Sequence, residues 1–233
     1  MFFFPIVLGT FFQQLYNTAD AIIVGKFVGK EALAAVGGTT GTLINLLVGF
    51  FVGLSSGASV IISQFYGAQR SEDVSRAVHT TMALALASGA ALTVLGICLS
   101  KNVLIMMGTP ADVLDYAVTY INIYFLGMIP SLIYNIGSGI LRAVGDSRRP
   151  LFFLVSATMT NIVLDIVLVI GLNLGVAGAA AATVLSQVVS AVLVMMTLCR
   201  TSQVYRLQLK RSGSTAICWC ASCVLACLPD CSR

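Results

Sequence analysis

Two carboxylate side chains, Asp20 and Asp165, lie within stretches of the sequence that are otherwise strongly apolar. An ionised carboxylate in hydrocarbon costs several kcal/mol, so membrane segments rarely keep one without a use for it. The chemistry open to such a group is the binding and release of a proton or of a cation. Proton or cation handling is therefore the first hypothesis for this chain.

Polar side chains accompany both aspartates at helical spacing. Asn17 precedes Asp20 by three residues and Asn161 precedes Asp165 by four, so each pair shares one helix face. Amide oxygens and the hydroxyl of Thr183 can ligate a cation or hydrogen-bond to an acid. The set predicts a protonatable or Na⁺-binding cluster. The alternative is that these groups only join helices by hydrogen bonds, a task that neutral side chains would perform at lower cost.

Further polar side chains are candidates for lining a cavity beside this cluster. Gln13 lies one turn before Asn17 on the same face, and Asn45 and Tyr124 lie in other apolar segments. Hydrogen bonding between helices, or simple packing, is the alternative interpretation for each of them. The residue types leave both interpretations open.

The composition identifies the class of protein. Apolar residues make up 58% of the 233-residue chain and charged residues 9%, against about 25% charged in soluble domains. A soluble domain of this length could not bury so much apolar surface, which predicts an integral membrane protein. The formal charge of +4 is too small and too dispersed to suggest a nucleic-acid partner.

Six apolar segments are long enough to cross a bilayer as helices, which takes about 20 residues. Glycines recur in them, as at Gly49, Gly53 and Gly57 or at Gly137 and Gly139, and small residues let membrane helices approach closely. The prediction is an all-α polytopic protein, a packed bundle of six transmembrane helices. The six segments are 2–24, 37–65, 79–100, 117–141, 151–172 and 176–199.

The basic residues predict the orientation. Three connections, after the second, fourth and sixth segments, hold nine Lys and Arg residues, whereas the opposite side holds only Lys26, Lys30 and Lys101. Positive charge accumulates in cytoplasmic connections, so the amino terminus and the end of the sixth segment are predicted to be cytoplasmic. A helical rise of about 1.5 Å per residue then brings Asp20, Asp165 and Thr183 to a similar level in the outer half of the membrane.

The motifs around these residues resemble the multidrug and toxic compound extrusion (MATE) family of transporters. Their order and spacing together carry the resemblance, which covers residues 5–211. The motifs are QQLYNTAD at 13–20, IVG at 23–25, ALAAVG at 32–37, QFYGA at 64–68, LRAVGD at 141–146, NIVLD at 161–165 and GVAGAAAAT at 175–183.

This resemblance implies a fold and an activity. MATE transporters have two pseudo-symmetric lobes of six helices, lie in the plasma membrane, and exchange H⁺ or Na⁺ for organic, often cationic, drugs. They are not enzymes and need no cofactor. The resemblance assigns the ion-coupling role to Asp20, Asn161, Asp165 and Thr183, and it identifies residues 1–211 as the amino-terminal lobe.

The remainder of the chain departs from the family. No second six-segment pattern follows, and residues 212–233 form a Cys-rich tail that we interpret as the product of truncation or a frame shift. Its five cysteines match no paired zinc-binding spacing, so no metal site is predicted there. Substrate cavities of such transporters form between the two repeats. We therefore expect the chain to need a carboxy-terminal lobe or a second copy.

Two other functions remain as alternatives. The first is a flippase for lipid-linked oligosaccharide, from the same superfamily; it would require cations inside the bundle, where the sequence offers only Arg142 at one edge. The second is an intramembrane aspartyl protease, in which paired acids activate water. Neither Asp20 nor Asp165 lies in a Tyr-Asp or Gly-x-Gly-Asp setting, which disfavours it.

Overall fold

The computed structural model describes residues 3–201 and 203–207, and the Cys-rich tail predicted at 212–233 lies outside these described residues. The described part is helical and contains no strand, which confirms the all-α prediction. Its α-helices are α1 (Phe3–Phe27), α2 (Lys30–Gly37), α3 (Thr39–Gly67), α4 (Ser71–Met106), α5 (Ala111–Leu126), α6 (Met128–Ala143), α7 (Arg148–Asp165) and α8 (Gly175–Arg200).

The structure supports a multi-pass membrane protein, but it does not fix the number of spans at six. By length and composition, four described stretches could each cross a membrane: Lys30–Gly67, Ser71–Met106, Arg148–Gly171 and Gly175–Arg200. The bent pair α5 and α6 could supply a fifth. Helix α1 has 25 residues but is not among these stretches. The sixth span therefore stays a prediction.

The fourth predicted segment, 117–141, is not one straight helix. Helices α5 and α6 meet at Gly127 with a bend of 51°. Pro130, in the first turn of α6, has no N–H to continue the hydrogen-bond ladder of α5. A Cβ atom at Gly127 would lie 2.7 Å from Val184 Cγ2, so the glycine also lets the corner approach α8.

The fifth predicted segment also changes character along its length. The α-helical hydrogen bonds of α7 end at Asp165, and residues Ile166–Gly171 form a π-helical turn. The chain then reaches α8 through Gly175, whose φ of +57° favours glycine. π-helical turns inside helices often lie at functional positions, and this one begins directly after an aspartate.

Small residues bring some helices together, but not all the glycines named above do so. Helix α6 packs against α3, α4 and α8. A side chain at Gly137 would overlap Val194 of α8, and one at Gly139 would lie 2.6 Å from Ser59 Oγ of α3. In contrast, a Cβ atom added at Gly49, Gly53 or Gly57 would lie within 4 Å of no atom of another described element. The prediction that these three glycines let helices approach closely is therefore wrong for the described residues.

Candidate functional site

Asp20 and Asp165 come together although they are remote in sequence. Helix α1 packs against α7, and across this seam the two carboxyl groups lie close enough to interact electrostatically. Asp20 is 6% exposed and Asp165 is fully buried. Neither forms an ion pair with a described Lys, Arg or His residue. Two carboxylates this close repel each other in a medium of low dielectric constant, so the pair requires a proton or a cation between them.

Several polar atoms in and around this pair are buried and have no hydrogen-bond partner among the described residues. Both polar atoms of the Asn161 amide, one turn before Asp165 on α7, form no hydrogen bond to any described residue, and the same holds for both Asp165 oxygens and for Asp20 Oδ1. Buried polar groups normally have partners, because an unmade hydrogen bond costs about 1–3 kcal/mol. A cluster of such atoms is therefore suited to receive a bound species.

Thr183 joins the cluster from a third helix. It lies on α8, is buried, and faces the Tyr16 hydroxyl of α1. Neither Thr183 Oγ1 nor the Tyr16 hydroxyl hydrogen-bonds to a described residue. Among the buried side-chain atoms without a described partner, only those of Thr40 and Thr109 lie outside this cluster. The four residues predicted to couple ions thus share one buried region.

A cavity of about 630 Å³ opens beside the cluster. Asp20 and Thr183 contribute to its wall, which also includes all the residues predicted to line a cavity: Gln13, Asn17, Asn45 and Tyr124. The ring of Tyr124 stacks on that of Tyr120, with their centroids 6.3 Å apart. These two tyrosines are buried and also face the cavity, so packing and substrate contact are compatible roles.

A second cavity, of about 750 Å³, continues from the first. Gln13 and Asn135 belong to the walls of both, so together the cavities form one groove, with α1, α3, α6, α7 and α8 in its wall. The far end of the groove contains several hydroxyl groups of α3 and α6 and one cation, Arg142. The groove therefore has an acid near one end and a guanidinium at the other.

The donor set of the buried cluster suits a hard cation or a proton. Two carboxyls, one amide and one hydroxyl are the oxygen ligands that small hard cations take. No group of three or more His, Cys, Asp or Glu side chains comes together within the described residues.

The family model described as MatE matches residues 5–167, which is more than half of the chain. The chain belongs to the MatE family. Among curated proteins, it is 33% identical over 84% of its length to the probable multidrug resistance protein YoeA of Bacillus subtilis, and 28% identical over 77% to the probable multidrug resistance protein NorM of Thermotoga maritima. These matches cover 43% and 39% of the two relatives.

Comparison with solved structures leads to the same family. A multidrug resistance MATE transporter in an outward-facing conformation superposes with a TM-score of 0.81 at 31% identity, over 89% of this chain and 46% of that one. The chain thus spans about half the length of the relatives it matches, as one lobe of a two-lobe transporter would. The two curated names describe multidrug resistance proteins and the structure title describes a transporter, which confirms the expectation of a membrane transport family rather than an enzyme family.

The structure adds residues that were not predicted from the sequence. Tyr16 lies four residues before Asp20, so the same helical spacing that selected Asn17 could have selected it. Ser186 and Gln187 of α8 also face the cavity, one turn after Thr183. The sequence pattern indicates these two residues less strongly, because Ser and Gln near the middle of an apolar helix usually form hydrogen bonds between helices.

Proposed function

We propose that this chain is one half of an ion-coupled antiporter that exports organic, often cationic, compounds across the cytoplasmic membrane. Asp20, Asn161, Asp165 and Thr183 bind the coupling ion, H⁺ or Na⁺. The observation that carries this proposal is that Asp20 and Asp165 are both buried and close enough to interact electrostatically, beside a cavity that Asp20 lines. The amino terminus and the end of α8 lie in the cytoplasm, in accordance with the distribution of Lys and Arg.

Coupling follows from competition at the acidic pair. When an ion bridges Asp20 and Asp165, the negative charge facing the cavity falls; when the ion leaves, that charge returns and attracts a cationic substrate. The wall of the cavity supplies amides and stacked tyrosines, which suit flat organic cations. The ion is bound when the acid pair is neutralised, whereas the cationic drug is attracted when the pair is charged. Because the pair cannot be in both states at once, the ion and the drug bind alternately and are exchanged across the membrane.

The groove requires a second wall. It is not enclosed by the described residues, so the chain alone supplies half of a substrate site. We propose that a carboxy-terminal lobe, or a second copy of the chain, closes it. Small organic cations and the bilayer are the remaining partners.

Ion binding by the purified chain tests the proposal without depending on the other lobe. Isothermal titration of Na⁺ into the chain in detergent, repeated at several pH values, should give a saturable signal that weakens as protons compete for the site. Asp165→Asn should remove the signal. Asp115→Asn, the same change at an exposed position of α5, should leave it intact. A signal that survives Asp165→Asn would contradict the proposal.

One observation supports a flippase for lipid-linked oligosaccharide as a second candidate function. Arg142 lies at one end of the groove among hydroxyl-bearing side chains, where it could receive a phosphate. A flippase predicts that Arg142→Gln abolishes activity and that cationic dyes are not exported. The antiporter predicts that dye export depends on Asp165 and largely survives Arg142→Gln.

A further inference from the structure

A third cavity, of about 710 Å³, lies at the end of the bundle where α8 ends and α7 begins. Its wall also includes Tyr66 at the end of α3, Asp146 in the loop after α6, and Gln203 and Tyr205 beyond α8. It shares no lining residue with the two cavities of the groove. The proposed transport function makes no use of it.

The position of this cavity is at the boundary between hydrocarbon and water. The apolar stretches that can span a membrane begin at Arg148 and end at Arg200 on this side of the bundle. Phe153, Leu193 and Met196 form an apolar wall, and Arg200 lies one turn beyond Met196 on α8. The lining therefore changes from apolar to cationic toward the end of α8, as a lipid changes from its acyl chains to its headgroup.

The cations of the cavity are only partly neutralised. Arg149 forms an ion pair with Asp146 (Nε to Oδ2, 3.1 Å), and its backbone N–H also donates to that carboxylate. Arg200 forms no ion pair with any described residue. One acid and two guanidiniums leave the lining with a net positive charge. Guanidinium groups match phosphate oxygens in geometry as well as in charge.

We propose that this cavity binds an anionic phospholipid. Arg200, assisted by Arg149, holds the phosphate, and one acyl chain lies along Phe153, Leu193 and Met196. A basic pocket between transmembrane helices at a membrane surface is a known type of site for anionic headgroups. A soluble phosphate compound would leave the apolar wall without a partner, whereas a lipid fills both parts. Bound there, the lipid would join α3, α7 and α8, three of the helices that surround the groove.

Native mass spectrometry of the purified full chain tests this site. The chain is mixed with equal amounts of phosphatidylglycerol and phosphatidylcholine, and the fraction that retains each lipid is measured. Wild type should retain phosphatidylglycerol preferentially. Arg149→Gln combined with Arg200→Gln should weaken that retention at least about tenfold, the effect of losing charge-assisted hydrogen bonds. Equal retention by wild type and variant would overturn the proposal.

Two controls separate a specific site from general surface charge. Arg76→Gln removes a positive charge from an exposed residue that pairs only loosely with Glu72 (3.7 Å) and does not line the cavity, so lipid retention should not change. Thr197→Phe fills the cavity without changing charge and should lower phosphatidylglycerol retention. A similar loss with Arg76→Gln, or no loss with Thr197→Phe, contradicts a specific site.

Thermal unfolding completes the test. Phosphatidylglycerol should raise the melting temperature of wild type more than phosphatidylcholine does, and Arg200→Gln alone should remove the difference. Millimolar inorganic phosphate should not reproduce the stabilisation. If it does so fully, the ligand is a soluble phosphate and the lipid proposal is wrong. The melting curves also show which variants are folded. If the double variant does not fold, the effects of Thr197→Phe and of Arg200→Gln on phosphatidylglycerol binding test the proposal in its place.

Discussion

Asp20 of α1 and Asp165 of α7 are both buried and lie close enough across the seam between these helices for their carboxyl groups to interact electrostatically. Asn161 and Thr183 place further polar atoms around them, and these atoms find no partner among the described residues. Such an arrangement is costly in a membrane unless something occupies it. Under the proposed function, a transported proton or cation occupies this site, which accounts for both acids and for the unpartnered oxygens.

Thr183 should matter for a cation more than for a proton, because only a cation needs its oxygen as a ligand. Thr183→Val keeps the shape and removes the hydroxyl. We expect the affinity for Na⁺ to fall about tenfold, in line with the loss of one contact to a charged group. The measurement is Na⁺ titration of the purified chain. Thr81→Val, at a hydroxyl that donates to Ala77 O on α4, is the matched control and should have no effect.

Gly137 should be intolerant of any side chain. A methyl group there would overlap Val194, which is fully buried and cannot move aside. We expect Gly137→Ala to destabilise the lobe by about 1–3 kcal/mol, the usual cost of overpacking. Gly49→Ala is the control, since nothing lies within 4 Å of that position. Thermal unfolding in detergent compares the two; equal melting temperatures would contradict the close approach of α6 and α8.

The orientation predicts which ends of the helices are accessible from outside. In a background without other reactive thiols, Lys101→Cys near the end of α4 should react with a membrane-impermeant reagent added to intact cells. Arg148→Cys at the start of α7 should react only after the membrane is opened. Both residues are exposed in the structure, so burial does not explain a difference. The reverse pattern would overturn the orientation.

The open groove predicts that the chain does not transport alone. Expressed by itself, it should insert but accumulate poorly and give no drug resistance, because polar groups such as Asp20 lose their second wall. Co-expression of a matching carboxy-terminal lobe should restore both. Ion-dependent dye efflux by the chain alone would favour a homodimer instead.

The sequence was sufficient to predict the helical membrane class and the main polar residues, because apolar length and i, i+4 spacing are local signals. Asn161 was found by this spacing, and Asn17 by the equivalent i, i+3 spacing to Asp20. The bend at Gly127 was missed, since a glycine and a nearby proline are tolerated in many straight membrane helices. The π-helical turn after Asp165 was also missed: it depends on how α7 and α8 pack, which no local pattern records.

Dye efflux driven by an ion gradient is the measurement that tests the acidic pair most directly. It requires the chain assembled with its complementary lobe in membrane vesicles, and it compares Asp20→Asn, Asp165→Asn and the double variant with the exposed control Asp115→Asn. The account predicts that each single variant abolishes ion-driven efflux, that the double variant is no worse than either, and that Asp115→Asn matches wild type. Wild-type efflux in Asp165→Asn, with equal protein in the membrane, would contradict a shared ion site.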